Sequence, residues 1–442
     1  MNIQLSDHFT YKKLLRFTAP SIIMMVFTSI YSIVDGFFVS NYVGKTPLAA
    51  VNFIYPLLML ISAIGFMFGT GGSALIGKTL GEGDKQKANS IFSLFVYITM
   101  VLSVIVSVLC FIFLEDIAAF LGAEGEMLKE SVLYGRILLV SLPFLMLQFE
   151  FQSFFVTAEK PQLGLVMTVV AGVCNMVLDW LFIAVFEWGL VGAAVATATS
   201  QFAGGTMALI YFSFNKNSLL KLGKTSFDGR AVLKACTNGS SELLSNISMS
   251  LVSMLFNIQL LKYAGEDGVA AYGVLMYINL IFLSIFIGYV TGIAPIVSFH
   301  FGANNTSELK NLRRKSVLIM AISSLLMFIA GEVFGPILAK IYVSYDTALL
   351  DMTVRAFTIY SFAFLFSGIA IFGSAFFTAL NDGLTSAVIS TLRTLVFEVV
   401  SVLLLPLILE VDGIWLSIVT AELLALIVTV IFLAAKKKKY RY

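Results

Sequence analysis

The stretch YVGKTPLAA, residues 42–50, recurs in altered form as YAGEDGVAA at residues 263–271. The offset between the two stretches is half of the 442-residue chain, and both contain the tyrosine, the glycine and the closing Ala-Ala pair. The same offset of 221 aligns further pairs: Thr70 with Thr291, Gly71 with Gly292, and Gly192 with Gly413. One offset that holds across both ends of the half-chain predicts an internal duplication.

Composition indicates that both halves lie in a membrane. Hydrophobic residues make up 59% of the chain and charged residues only 12%, about half the charged share of a soluble protein. A membrane-spanning helix needs about 20 mostly apolar residues. The chain contains twelve such runs: 15–40, 48–76, 91–114, 131–156, 163–186, 190–214, 237–262, 269–299, 316–340, 354–380, 384–409 and 413–435. The sequence therefore predicts an all-α membrane protein with twelve transmembrane helices.

The duplication divides these spans into two bundles. Six spans per half is an even number, so both halves enter the membrane in the same orientation, as a parallel repeat about a pseudo-two-fold axis along the membrane normal. We expect an N-terminal lobe at residues 1–221 and a C-terminal lobe at residues 222–442. A polar, basic linker at about residues 215–234 joins them.

Charge in the loops predicts the orientation. If both termini lie on one side of the membrane, that side holds 22 of the 28 lysines and arginines. This count assigns Arg393 to the same side, near the end of its span. Basic residues collect on the cytoplasmic side of membrane proteins. We therefore expect a multi-pass protein of the cell membrane with both termini in the cytoplasm.

One motif points elsewhere and is rejected. GSALIGKT, residues 72–79, fits the phosphate-binding pattern G-x-x-x-x-G-K-[ST] at every fixed position. That pattern needs a strand before the loop and a helix after it. Here it covers the end of the second span and the start of its loop. We interpret it as a chance match.

Seven carboxylates lie inside the predicted spans, where each costs a few kcal/mol or more unless it faces a cavity or a partner. They are Asp35, Glu150, Asp179, Glu242, Glu332, Glu398 and Glu422. The sequence predicts no lysine or arginine deep in any span to neutralise them. Carboxylates without basic partners predict a cavity of negative potential, suited to cationic, amphipathic substrates.

Four polar side chains of the first half share one depth. At about 1.5 Å per helical residue, Asp35, Asn175, Asp179 and Thr197 all lie in the outer half of the lobe. Two carboxylates, an amide carbonyl and a hydroxyl suit a hard cation such as Na⁺, or a proton shared by the carboxylates. Their counterparts at the offset of 221 are all apolar: Phe256, Val396, Val400 and Ile418. The cluster is therefore not needed to build a lobe.

The chain resembles the multidrug and toxic compound extrusion (MATE) family. The resemblance rests on two six-helix halves and a series of motifs in order. These motifs are TAPSI around Pro20, SIVDGFFVS around Asp35, YVGKTPLAA, CNMVLDWLFI, GLVGAAVATATSQ and AAYG. It covers nearly the whole chain.

The resemblance implies secondary active export of organic cations, driven by inward H⁺ or Na⁺, through alternating access of the two lobes. It places Asp35, Asn175, Asp179 and Thr197 at the cation site of the first lobe, and Pro20 where the first helix bends. Three glutamates of the second half are carried over as residues of the substrate cavity: Glu242, Glu398 and Glu422.

An alternative remains within the same superfamily, a flippase for lipid-linked oligosaccharides. It would handle a pyrophosphate and should carry arginine or lysine in its cavity. A membrane enzyme is disfavoured because the chain has only two histidines and neither an HExxH motif nor a nucleophile elbow. We expect a monomer in a lipid bilayer that takes small-molecule substrates, with no cofactor besides the coupling ion H⁺ or Na⁺ and no nucleic-acid partner.

Overall fold

The computed structural model describes residues 3–43, 45–215, 217–343 and 346–442. Within these ranges the chain forms helices and loops and no β-strand. The helices of the first half are α1 (Tyr11–Phe38), α2 (Lys45–Gly81), α3 (Lys85–Phe120), α4 (Gly125–Thr157), α5 (Pro161–Asp179) and α6 (Gly189–Phe214). Those of the second half are α7 (Gly229–Gly302), α8 (Thr306–Val343), α9 (Thr347–Tyr360), α10 (Phe362–Ala379), α11 (Gly383–Thr391), α12 (Glu398–Leu404), α13 (Pro406–Ala435) and α14 (Lys437–Tyr440).

Three short segments are π-helical: Val39–Val43, Trp180–Val185 and Leu392–Phe397. They continue α1, continue α5, and join α11 to α12, respectively. Two residues of predicted features lie outside the described residues. These are Gly44 of the repeated stretch 42–50 and Lys216 of the linker 215–234.

Ten helical segments of the described chain are long and apolar enough to cross a membrane. One of them is α7, whose 74 residues are interrupted at Gly265, where φ is 65° and ψ is −156°. This break lies in the predicted turn between residues 262 and 269. The 26-residue α6 is not among the ten, because alanine, glycine, threonine and serine dilute its apolar residues. The count of twelve spans therefore stays a prediction.

The phosphate-binding pattern at residues 72–79 lies wholly inside α2. Lys78 of this pattern is paired with Glu82 one turn later, at 3.5 Å. The backbone amides are used within the helix, so they do not form the glycine-rich cradle that a nucleotide phosphate needs.

Left-handed residues end helices at corresponding places in the two halves. Gly83 (φ 88°) follows α2, and its counterpart at the offset of 221, Asn304 (φ 52°), follows α7. Gly189 (φ 57°) is the first residue of α6, and its counterpart at the offset of 221, Glu410 (φ 50°), interrupts α13. A side chain at positive φ costs about 1 kcal/mol or more. The same turn geometry recurs although the residues differ.

Helices α2 and α7 cross so closely that no side chain fits between them. A Cβ on Gly239 would lie 2.0 Å from the Met67 carbonyl oxygen, and one on Gly302 would lie 1.9 Å from that of Lys78. Asn381, between α10 and α11, adds a 3.0 Å hydrogen bond from Nδ2 to the Ala74 carbonyl. The two halves are thus in backbone contact at the α2–α3 loop end of the molecule.

The N-terminal segment joins loops of both halves on this same side. The Leu5 amide donates to Glu159 Oε1 at 2.7 Å, in the loop after α4. The Phe9 amide donates to Glu308 Oε1 at 2.9 Å, in the first turn of α8. Leu5 and Phe9 are both buried, so apolar contact and backbone hydrogen bonds hold this segment across the two halves.

The C-terminal tail is anchored as well. Lys436 Nζ and the Tyr440 hydroxyl donate to Asp382 Oδ2 at 2.8 and 2.7 Å. The ring of Tyr442 is fully buried, and the guanidinium of Arg313 lies 5.5 Å from its centroid. The basic tail is therefore packed on the second half.

Candidate cation site in the first half

Helices α1 and α5 approach closely because Gly172 of α5 has no side chain. A Cβ there would lie 2.5 Å from a ring carbon of Phe27 and 3.0 Å from one of Tyr31. Asp35 lies one turn beyond Tyr31, and Asp179 lies two turns beyond Gly172. Both aspartates therefore occupy the helix faces that meet at the glycine. The contacts advance together along both helices, so α1 and α5 run in parallel.

The structure brings all four predicted side chains together. Thr197 of α6 donates from Oγ1 to Asp35 Oδ1 at 3.4 Å. Asn175 Nδ2 donates to Thr197 Oγ1, also at 3.4 Å. The carboxyl group of Asp179 interacts electrostatically with that of Asp35. The predicted quartet is thus one connected cluster formed by α1, α5 and α6.

Three oxygens of this cluster lack a donor. Asp179 is fully buried and Asn175 is 1% exposed. Both Asp179 carboxylate oxygens and Asn175 Oδ1 have no hydrogen-bond partner among the described residues. A buried ionised carboxylate without a partner costs at least several kcal/mol. A proton between the two carboxyl groups, or a cation with oxygen ligands, would supply what these atoms lack.

The candidate ligand atoms of the cluster are all oxygens. In the described part of the chain, no three His, Cys, Asp or Glu side chains come together as metal ligands. The oxygens are two carboxyl groups, one amide and one hydroxyl, with no nitrogen or sulfur ligand. Hard monovalent ions and protons match such a set better than zinc or copper.

Both aspartates lie next to irregular helix. Asp179 is the last residue of α5, and the π-helical segment Trp180–Val185 follows directly. Asp35 lies one turn before the π-helical segment Val39–Val43. Such π-bulges are rare and often mark functional sites. Around them, a buried apolar cluster that includes Ile183 and Leu190 holds the π-helical segment Trp180–Val185 against α6.

Three tyrosines around the site were not predicted. The side chains of Tyr31, Tyr55 and Tyr134 all interact electrostatically with Asp35. The sequence could have identified Tyr31, because it precedes Asp35 by four residues and so shares its helix face. Tyr55 and Tyr134 had none, since tyrosine is common in apolar helices and nothing in α2 or α4 distinguishes these two.

The second half contradicts one expectation. Arg393 was assigned to the cytoplasmic end of its span, with no basic residue deep in the membrane. Instead, its guanidinium forms a bidentate pair with Glu422 of α13, in which Nε donates to both carboxylate oxygens at 2.9 and 3.0 Å. The Nη2 group adds a 2.7 Å bond. Arg393 lies ten residues inside the helix that begins at Gly383, or about 15 Å along its axis.

The other two glutamates of this set surround the pair. Glu398 interacts electrostatically with both Glu422 and Arg393, and Glu242 of α7 interacts with Arg393. Tyr360 of α9 interacts electrostatically with Arg393, Glu398 and Glu422. The three glutamates predicted to line the cavity therefore form one cluster, which is separate from the quartet of the first half.

The offset of 221 does not preserve side-chain direction near these sites. Val400, the counterpart of Asp179 by that offset, is 48% exposed, and Val396, the counterpart of Asn175, is 39% exposed. Each π-helical segment adds a residue to its turn. The segment follows Asp179 in α5, whereas in the second half it precedes Glu398. The helical register, and with it the facing side, therefore differs between the halves.

The remaining predicted residues have simpler surroundings. Helix α1 continues through Pro20, which is buried, so a bend there stays a prediction. Glu332 accepts a hydrogen bond from the Ser361 hydroxyl. Glu150 of α4 is fully buried, and both its carboxylate oxygens lack a partner among the described residues.

Comparisons with known proteins identify relatives of this chain. "Multidrug export protein MepA" of Staphylococcus aureus (strain MRSA252) is 24% identical over 417 residues, covering 94% of this chain and 92% of MepA. MepA of Staphylococcus saprophyticus is 25% identical over 365 residues, covering 81% of this chain and 80% of that protein. The chain is similar to these relatives over most of their length.

Solved structures share the fold. One is described as the outward-facing conformation of a multidrug resistance MATE family transporter of the MOP superfamily. It has a TM-score of 0.93 and 23% identity, and the match covers 100% of this chain and 98% of that chain. A MOP superfamily transporter from Pyrococcus furiosus has a TM-score of 0.91 and 22% identity, and 98% of each chain is covered. Its description reports a reverse polarity of the binding pocket and suggests a different function.

The sequence model of the MatE family matches twice, at residues 20–181 and at residues 243–404. The two matched stretches are equal in length and together span most of the chain. The chain therefore belongs to the MatE family, the multidrug and toxic compound extrusion transporters.

Proposed function

We propose that this protein is a secondary active multidrug efflux transporter of the cell membrane. It exports organic cations in exchange for inward H⁺ or Na⁺, through alternating access of two lobes at residues 1–221 and 222–442. The observation that carries this proposal is the buried cluster of Asp35, Asn175, Asp179 and Thr197. Its carboxyl groups face each other, and the Asp179 oxygens have no donor among the described residues.

The cluster suits ion coupling for an electrostatic reason. Two carboxylates that share a low-dielectric site cannot both stay ionised cheaply. A proton or a Na⁺ removes that repulsion and satisfies the free oxygens. An inward-moving ion releases about 2.3 kcal/mol per charge per 100 mV, in addition to any concentration gradient. Occupancy of the site would then set the packing of α1 against α5, with Pro20 as the weak point of α1.

Twelve spans fit the helices. The break at Gly265 divides α7 into two segments that are each long enough to cross a membrane. Helix α6, with 26 residues, is long enough as well. The paired left-handed turns and the two equal family matches support a duplicated six-helix lobe.

Alternating access requires the lobes to separate on one side at a time. The backbone contacts of α2 with α7 close the side that carries the α2–α3 loop. Loop charge assigns that side to the cytoplasm. The described state therefore corresponds to a cavity closed toward the cytoplasm. In the opposite state, Gly239 and Gly302 must move away from α2.

Cationic substrates follow from the charge of the second half. Glu242 and Glu398 contribute carboxylates beside one guanidinium, so the cluster is acidic in total. Phenylalanine and methionine, 40 and 17 in the chain, offer adaptable apolar surface for drugs of different shapes. The relatives named multidrug export proteins support the export of drugs, and the carboxyl groups are the reason to expect cations among them.

One observation, the position of Arg393, bears on the flippase alternative. Arg393 does lie inside the second half, as a pyrophosphate site would need. Its guanidinium, however, is already bound by Glu422, and Glu398 lies beside it. A pyrophosphate would meet more carboxylate than guanidinium, so export of cations is favoured.

Purified protein in proteoliposomes tests the function. A pH gradient and a Na⁺ gradient are imposed one at a time, and transport of the organic cation ethidium is followed by its fluorescence on entrapped DNA. Transport of ethidium against its concentration gradient, driven by the gradient of one of the two ions, would support the proposal. Equal rates with and without gradients, or faster transbilayer movement of a pyrophosphate-linked lipid, would contradict it.

A further inference from the structure

The pair of Arg393 and Glu422 is an ion pair in the middle of the helices that hold it. The Arg393 side chain is 15% exposed and that of Glu422 is 5% exposed. Three hydrogen bonds join one edge of the guanidinium to the carboxylate. This bidentate geometry is the strongest form of such a pair.

Stability alone gives no reason for the pair. Removing two charges from water costs about as much as their attraction returns. Replacing a buried pair with apolar residues is often neutral or stabilising. Other intramembrane carboxylates of this chain have no basic partner, as for Asp179 and Glu150. Because burying the Arg393 guanidinium costs free energy without a gain in stability, we look for its role in transport.

The surroundings of the pair indicate that role. Glu398 interacts with both partners and Glu242 with the guanidinium. Arg393 lies in the π-helical segment Leu392–Phe397, and Glu398 follows that segment directly. The cluster thus joins one neutral ion pair to two further carboxyl groups. Without Arg393 the pair would leave one negative charge, and without Glu422 it would leave one positive charge.

We propose that Arg393, paired with Glu422, is a specificity-determining residue that sets the charge of the second-half cluster and thereby favours monovalent over divalent organic cations. This inference rests on the proposed function. Each partner of the pair neutralises the other, so removal of either one adds a single charge beside the other carboxyl groups of the cluster. A single fixed charge added to or removed from a half-buried site changes the binding of a second substrate charge by about tenfold.

The test compares two dyes with the same ring system, ethidium with one positive charge and propidium with two. Transport of both is measured in proteoliposomes under the driving ion gradient. Arg393→Gln should raise the propidium-to-ethidium rate ratio by about tenfold, and Glu422→Gln should lower it. Arg393→Lys keeps the charge and should keep the wild-type ratio. The double variant Arg393→Leu with Glu422→Leu removes both charges and should also keep it.

A matched control is the pair of Arg355 and Asp412, which joins α9 to α13 at an exposed position. Arg355→Gln removes the same charge outside the cluster and should leave the ratio unchanged. If Arg393→Gln does not accumulate in the membrane, Glu422→Gln carries the test with the opposite sign. An unchanged ratio in these variants, with ethidium still transported, would overturn this inference alone. Wild-type protein that transports neither dye would overturn the proposed function and this inference with it.

Discussion

Asp35 of α1 and Asp179 of α5 present their carboxyl groups to each other beyond the point where Gly172 lets the two helices touch. The glycine sets the distance between the two helices, and that distance sets the positions of the two carboxyl groups. The site therefore depends on a residue that contributes no ligand. A change in the packing of α1 on α5 is then inseparable from a change in the charge of the aspartate pair.

Gly172→Val should disable coupling without removing a ligand. A Cβ there would lie 2.5 Å from Phe27, so α1 must move away from α5, at a cost of about 1–3 kcal/mol in stability. Gradient-driven transport should fall at least tenfold. The control is Gly36→Val, because a Cβ on Gly36 meets nothing within 4 Å. Normal transport by Gly172→Val would show that close approach of the helices is not required.

Gly302→Leu should prevent closure of the side that carries the α2–α3 loop. Its side chain would collide with the Lys78 carbonyl oxygen. A cysteine introduced by Ala74→Cys, buried in the closed state, should then react faster with a membrane-impermeant maleimide. Gly273→Leu is the matched control on the same helix, since a Cβ there has open space. Equal labelling rates in both variants would contradict the assigned closure.

Asp382→Asn should lower the melting temperature of the protein at pH 7. Burial raises the pKa of Asp382, but hydrogen bonds from Lys436, Tyr440 and Thr385 outweigh it and lower the pKa to about 2. The ionised form therefore stabilises the fold by about 2 kcal/mol above its unfolded pKa near 4, and this is lost as pH falls toward 2. The difference in melting temperature between variant and wild type should accordingly shrink between pH 4 and pH 2. A difference that stays constant over that window would contradict the assignment.

Cysteines introduced at residues 115–130 and 346–351 should react with impermeant reagent from outside the cell, because loop charge places these loops there. Cys110, Cys174 and Cys236 must first be replaced, since all three are free and partly exposed. Cysteines introduced in the linker at residues 217–234 should react only after the membrane is permeabilised. Labelling of both sets in the reverse order would overturn the orientation.

The quartet of the first half could be predicted because its signal is strong at the level of sequence. A carboxylate in an apolar span is costly, and helix spacing alone gives its depth and face. The break at Gly265 could be predicted for a similar reason, since glycine and acidic residues interrupt the apolar run there. These features depend on local composition and helix periodicity.

Arg393 could not be placed from sequence because its partner lies much further along the chain, on another helix. A single arginine near a span boundary is usually an interfacial residue, and only the contact with Glu422 shows otherwise. The facing of Val396 and Val400 could not be predicted for a different reason. The π-helical segments shift the register, and their positions leave no clear mark in composition. The N-terminal contacts with Glu159 and Glu308 are likewise long-range hydrogen bonds without a sequence signal.

The most direct test of coupling at the aspartate pair is counter-transport in proteoliposomes by Asp35→Asn and Asp179→Asn. Glu332→Gln is the control, because it removes an intramembrane carboxylate that lies outside the site and accepts a hydrogen bond from Ser361. The amount of folded protein in the vesicles is measured for each variant. Both asparagine variants should lose ethidium transport against its gradient, while Glu332→Gln retains it. Uphill transport at the wild-type rate by both asparagine variants would contradict the account.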